Sequence, residues 1–165
     1  MRAAVLHQLN EPLLVRTDVN FGAPKRGQVL VKLAFSGVCH SQLMEARGNR
    51  GIDRFLPHLL GHEGTGQVVQ TGDGVTKVSP GDFVVLGWIK GSGLDGGSIE
   101  YNSPSCSPHK INAGSITTFN EYALVYENRV VPLPPGVPLD VGVLFGCAIP
   151  TGAGIVTNDL KPING

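Results

Sequence analysis

Glycine and proline interrupt this chain so often that long regular helices have little room. The 165 residues include 23 glycines and 12 prolines, and only 16% are charged, a balance that favours short strands joined by tight turns. Pro24-Lys25-Arg26-Gly27, Thr71-Gly72-Asp73-Gly74 and Ser79-Pro80-Gly81 carry turn chemistry. Between such points, alternating or continuous apolar runs at 13–15, 28–35, 66–70, 82–88, 121–126 and 129–133 read as strands. Two segments read as helices: 41–47, stopped by Gly48, and 139 to about 156, whose small residues permit close packing. Residues 87–118 are rich in glycine and serine without a strand pattern and read as one long surface excursion. The expected fold class is mainly β with a few short helices, in one domain over 1–165, and spacing alone fits a sandwich as well as a barrel.

Charge and termini narrow the function classes. Lys and Arg number 13 and Asp and Glu 13, so the formal charge is zero and no net field draws the chain to nucleic acid or an anionic membrane. The opening residues turn polar before a secretory apolar core forms, and no stretch is long enough to span a bilayer. A cytoplasmic protein is expected. Three cysteines, odd in number and widely separated, suit reduced thiols or metal ligands better than a disulfide framework.

The chemistry concentrates in three short segments: Gly37-Val38-Cys39-His40-Ser41, Gly61-His62-Glu63 and Phe145-Gly146-Cys147-Ala148. Two thiolates and one imidazole form a set that zinc favours, with the fourth tetrahedral position left for water or substrate. Alone, His62 reads as an interior hydrogen-bonded histidine and either cysteine as a small buried hydrophobe; the combination carries the inference. Cys39 falls where a strand delivers the chain into a helix N-terminus, a position that favours thiolate. Ser41 can cap that helix. Gly91-Ser92-Gly93-Leu94-Asp95-Gly96 satisfies G-x-G-x-x-G literally, but two prolines and no helical period follow it, so no helix N-terminus is there to hold a pyrophosphate.

Gly61-His62-Glu63-Gly64-Thr65-Gly66-Gln67 with Gly72 and Val75, then Gly81-Asp82-Phe83-Val84-Val85, Phe119-Asn120-Glu121-Tyr122-Ala123 and Val131-Pro132-Leu133-Pro134, resemble the zinc-dependent alcohol dehydrogenases of the medium-chain dehydrogenase/reductase family. The resemblance covers nearly the whole chain but about half of a family member. It implies a GroES-like β-barrel catalytic domain, with the dinucleotide-binding Rossmann domain beyond a cut near Gly165 and the fragment inactive alone. It further implies one catalytic zinc on Cys39, His62 and Cys147, and oxidation of an alcohol to an aldehyde or ketone with hydride transfer to NAD or NADP. The full-length protein is expected to be a homo-oligomer.

The same resemblance assigns roles residue by residue. Glu63 sits beside the metal or swings in as a temporary ligand, unless a neighbouring cation satisfies it. Ser41 accepts the alcohol proton. His40 reaches the cofactor pyrophosphate, or is an exposed histidine without a task. Thr151 contacts the nicotinamide, or bonds back to its own helix. Trp88 lines the substrate pocket, or is plain core. Three departures stand out. Gln42 replaces a common acidic residue, and can accept a hydrogen bond from the imidazole but brings no charge, which predicts weaker zinc occupancy. Met44 occupies the position of a relay histidine and cannot pass a proton. Where relatives hold a structural zinc on four cysteines, this chain has only Cys106 with His109 nearby, which predicts a free thiol and no structural zinc. A non-enzymatic GroES-like binding module and a zinc-free quinone or enoyl reductase are the alternatives; neither accounts for the three ligands.

Overall fold

In the computed structural model, which describes residues 1–163, ten strands are present among the described residues: β1 (Ala3–Leu6), β2 (Leu14–Arg16), β3 (Gln28–Ser36), β4 (His58–Leu59), β5 (Gly64–Thr71), β6 (Phe83–Leu86), β7 (Glu100–Asn102), β8 (Lys110–Asn112), β9 (Tyr122–Tyr126) and β10 (Val130–Pro132). They form two five-stranded sheets, ordered β2-β1-β4-β8-β7 and β10-β6-β5-β3-β9. Every pairing is antiparallel except β4 with β8. The expected boundary at Gly165 lies outside the described residues.

All six apolar runs are strands, and the second sheet is built from five of them. Strand β3 shows why its run is continuous and not alternating. Val29 and Val31 pack with Val68, Ala123 and Val125 in one core, whereas Leu30 packs with Leu124, Val5, Tyr101 and Ile111 in the other. A strand covered on both faces needs apolar residues at every position.

Residues 87–118 are a surface excursion only as far as 98, a stretch that is mostly exposed and without strands. Strands β7 and β8 lie inside them, pair with Tyr101 opposite Ile111, and send Ile99, Tyr101, Cys106, Ile111 and Ala113 into the first core. Each strand contributes only one or two apolar residues, too few for a period to register. The Tyr101 hydroxyl accepts the Leu124 N–H at 2.7 Å, joining the two sheets, and burial pushes its phenol up to about 12.

The glycine-rich stretch 91–96 has a different task from phosphate binding. Glu127, 1% exposed, accepts the N–H groups of Thr76 at 2.6 Å and Lys77 at 2.7 Å on Oε1 and that of Leu94 at 3.0 Å on Oε2. Gly93 has φ +112°, and a Cβ there would lie 2.8 Å from the Glu127 carboxylate. The loop wraps a carboxylate of its own chain.

The first predicted helix is α1 (His40–Ala46); the second is broken. It comprises α2 (Leu139–Gly142), a 3-10 turn (Val143–Gly146), Cys147 at φ −153° and ψ −56°, α3 (Ala148–Gly154) and a π turn (Ile155–Leu160). Pro150 explains the break. In a continuous helix its ring would clash with the carbonyl of Gly146 and its missing N–H would leave that carbonyl unpaired. Here Pro150 lies in the first turn of α3, where no donor is needed, and the Gly146 carbonyl accepts the Trp88 N–H at 3.4 Å. Leu144, Phe145, Ile149, Ile155 and Val156 are exposed along this segment. Among the described residues no single helix is long and apolar enough to cross a membrane; only the pair Leu139–Gly146 and Ala148–Leu160, bent by 53°, has the length and composition together.

Burial alone would raise the Glu127 carboxyl, but the amides of Leu94, Thr76 and Lys77 outweigh it and hold the group below its ordinary 4.5. A carboxyl depressed in the folded state stabilises above its unfolded pKa, and that contribution is lost as pH falls through the folded value. Glu127→Gln should therefore cost about 1–3 kcal/mol at pH 7. Urea unfolding should show the gap between parent and variant closing in acid.

Candidate metal centre

The antiparallel pair β3–β5 brings two of the three segments together. Its register ends with Ser36 opposite Gly64, and the Gly37 N–H donates to the Glu63 carbonyl at 3.1 Å. Just beyond that pair, Cys39 caps α1 and His62 leads into β5. Gly61, at φ +91°, makes the turn before His62, and a Cβ there would run into Thr118 and Phe119. The helix break delivers the third segment. The ligating atoms of Cys39, His62 and Cys147 all lie within 4.8 Å of one another, each residue half-buried.

Glu63 lies beneath this cluster, 4% exposed. Its carboxylate accepts the Ala148 N–H at 3.3 Å and forms no ion pair within 4 Å among the described residues, so a neighbouring cation does not account for it. Two glycines make its space. A Cβ on Gly37 would stand 2.5 Å from the Glu63 carboxyl carbon, and one on Gly146 would meet Glu63 and the Leu86 carbonyl. The glycines of Gly37-Val38-Cys39 and Gly146-Cys147 thus let both cysteine segments close over one buried acid.

Electrostatics differentiates the two thiols. The hydroxyl and amide of Ser41 pull Cys39 below its ordinary value, against burial and Glu63, although the hydroxyl makes no hydrogen bond of ordinary geometry. Burial pushes Cys147 up, with Cys39 and Glu63 adding to the shift and the Thr151 hydroxyl, 3.8 Å from its sulfur, opposing it. Burial also holds His62 below the usual imidazole range, with Arg50 contributing and Glu63 and Glu45 opposing. A neutral imidazole beside an easily formed thiolate is the state metal binding requires.

The donor set fits a thiophilic divalent ion. His62 Nε2 is buried without a hydrogen-bond partner, and the imidazole offers one ligand atom within 4.8 Å of both sulfurs. The contact to Gln42 differs from expectation. Gln42 Oε1 accepts the Cys39 N–H at 3.1 Å, which turns the amide NH2 toward His62 Nδ1 at 2.5 Å. If the NH2 donates, Nδ1 accepts and the ring proton lies on Nε2. A ligating Nε2 needs the proton on Nδ1, so the Gln42 amide must turn over and give up Cys39.

Ser41, His62, Trp88, Arg129 and Cys147 line one cleft of about 640 Å³, a size suited to a small ligand. Ser41 Oγ is buried and unpartnered there. Trp88 is 61% exposed, so it is not core. His40 and Thr151 are exposed, and Thr151 faces the Cys147 sulfur. Cys106 is buried with its sulfur 3.6 Å from His7, while His109 is exposed. Arg129 and Glu45 escaped the sequence reading because each lies in a segment without a site motif. So did a second group of possible ligands, Glu45, Asp53 and His58. There His58 Nδ1 donates to the Leu59 carbonyl, while Nε2 lies 2.7 Å from Asp53 and 3.8 Å from Glu45 of α1.

The model of the alcohol dehydrogenase GroES-like domain matches residues 25–135, about two thirds of the sequence. The chain belongs to this family. The GroES-like domain is 31% identical to alcohol dehydrogenase class-3 of Zea mays, with 99% of this chain and 49% of that protein covered. It is 34% identical to the NDMA-dependent alcohol dehydrogenase of Amycolatopsis methanolica, over 92% and 46%. Among solved structures it matches an alcohol dehydrogenase zinc-binding domain protein from Burkholderia ambifaria with a TM-score of 0.85 at 27% identity, over 99% of this chain and 50% of that one. It matches benzyl alcohol dehydrogenase from Acinetobacter calcoaceticus with a TM-score of 0.79 at 29% identity, over 97% and 48%. The chain spans about half the length of the curated relatives it matches.

Gly146 is an exacting position of this GroES-like domain's candidate site, because a Cβ there would press on the Leu86 carbonyl and Glu63. Gly146→Ala should destabilise by about 1–3 kcal/mol through overpacking against backbone. It should also raise the rate at which a thiol reagent modifies Cys147, measured by mass spectrometry.

Proposed function

We propose that this chain is the catalytic half of a zinc-dependent, NAD(P)-linked alcohol dehydrogenase, with the dinucleotide-binding half supplied by further chain. The observation that carries the reading is the approach of Cys39, His62 and Cys147 within 4.8 Å around an unpartnered His62 Nε2. These three residues would hold the ion and leave a tetrahedral position for a further ligand, and His62 and Cys147 line the same cleft as Ser41. Zinc, when bound, supplies Lewis acidity that eases removal of the alcohol proton and disperses the negative charge on oxygen.

The chain's own residues do the rest. Cys39 and Cys147 would hold the ion as thiolates, with the hydroxyl and amide of Ser41 favouring that form at Cys39. Ser41 Oγ, with no partner in the protein, receives the alcohol proton on its lone pair and passes its own to water in the cleft; Met44 takes no part. Trp88 forms an apolar wall that positions the carbon skeleton. Glu63 adds negative charge under the ligands and favours the cation. His40 and Thr151, exposed next to Cys39 and near Cys147, would contact the hydride acceptor, NAD or NADP. The substrate is a small alcohol, or in reverse an aldehyde or ketone.

Elemental analysis of the complete purified protein should give about one zinc per chain, and Cys147→Ala almost none. A metal-free parent, or turnover unchanged by Cys39→Ala, would move the protein to a zinc-free reductase. Gln42→Glu should tighten zinc binding by about 10-fold, because a carboxylate accepts both the Cys39 N–H and the His62 Nδ1–H without turning over. Competition against a chromophoric chelator reads the change directly.

A further inference from the structure

Arg129 is a buried cation without a counter-ion. It is 6% exposed, and among the described residues no carboxylate comes within 4 Å of its nitrogens. Its one side-chain hydrogen bond runs from Nη1 to the Trp88 carbonyl, and Nε is buried without a partner. A guanidinium cannot shed its proton at physiological pH, and an unpaired buried charge is costly enough that proteins ordinarily supply a partner. The one acid that lines the cleft among the described residues, Glu45, lies 3.8 Å from His58 instead.

The geometry indicates where the partner comes from. With Nη1 held by Trp88, the Nε–Nη2 edge is left over, and that edge is the fork that takes a carboxylate or phosphate through two parallel hydrogen bonds. Arg129 lines the same cleft as Ser41, His62 and Cys147. Its anchor Trp88 is joined through its N–H to Gly146, the residue before Cys147. Arg50, exposed and without an ion pair among the described residues, adds positive charge to the cleft wall.

We propose that Arg129 is an oxyanion subsite, and that the substrate is an alcohol or carbonyl compound carrying a carboxylate or phosphate group. The proposal rests on the dehydrogenase reading, since it treats this cleft as the substrate site. The Trp88 carbonyl sets the guanidinium plane, the anion engages Nε and Nη2, and the reacting oxygen lies toward the three ligands. Two charge-assisted hydrogen bonds imply a preference of about 10- to 100-fold in kcat/KM for an anionic over an uncharged alcohol.

Two measurements on the complete holoenzyme test it. In the first, hydroxy carboxylates and phosphate monoesters of diols, two to six carbons long, are compared with uncharged alcohols of equal length. The parent should prefer one anionic class at least 10-fold, and Arg129→Gln should bring the ratio near 1 with zinc content unchanged. No anionic preference alongside turnover of neutral alcohols would overturn the subsite and leave the metal-centre reading intact; so would a preference that survives Arg129→Gln. The second measurement needs no turnover. The Nε–H resonance of Arg129, assigned by its loss in Arg129→Lys, is followed by NMR as acetate or inorganic phosphate is added at constant ionic strength. A saturable shift supports the subsite and shows which anion it takes, even if the protein proves to hold no zinc or Arg129→Gln fails to fold. A resonance indifferent to both anions overturns the proposal, as it would if another part of the protein supplied the counter-ion.

Discussion

The site depends first on the register of one strand pair. Strands β3 and β5 run side by side from Val29 opposite Thr71 to Ser36 opposite Gly64, with irregularities between Leu30 and Val31 and between Leu33 and Phe35. Burial of Val29, Val31 and Val68 holds that alignment, each apolar side chain contributing on the order of 1.5–3 kcal/mol. A slip of one residue would turn these valines to the wrong face and carry Cys39 away from His62. Apolar packing well below the site therefore sets the distance between two of its polar groups.

Around that frame, three buried charges are handled in three ways. Glu127 is surrounded by amides and serves the loop 91–96. Glu63 has a single long amide contact and two glycines in place of side chains, so its charge remains available to the cluster above it. Arg129 bonds the Trp88 carbonyl through Nη1, and its Nε is buried with no partner among the described residues. Charges satisfied in place belong to the fold, whereas those left unsatisfied gather around one cleft.

Much of this was legible in the sequence where the signal was local. The six apolar runs and the turn residues between them identify the strands that build the second sheet, and three motifs single out the residues that the fold gathers into one cluster. Strands β7 and β8 were not legible, because their buried residues Tyr101 and Ile111 are isolated among polar neighbours and acquire meaning only opposite each other. The break at Cys147 was within reach: Pro150 stands four residues after Gly146, inside a segment otherwise read as one helix. Arg129 could not have been found, since nothing local distinguishes an arginine that pairs with an acid from one that does not. The orientation of the Gln42 amide likewise depends on a backbone N–H and an imidazole that only the fold brings together.

The helix break at Cys147 also has a bearing on the order of assembly. Cys39 and His62 are 23 residues apart and meet as soon as two neighbouring strands pair, whereas Cys147 lies a further 85 residues along the chain. Closing the longer loop costs only about 1 kcal/mol more in chain entropy, but it must await a segment that few buried contacts hold, since much of Leu139–Leu160 is exposed. Two ligands are thus set by the sheet, and the third arrives on a tether. An ion captured there would act as a staple, drawing the last helical segment onto a sheet already folded.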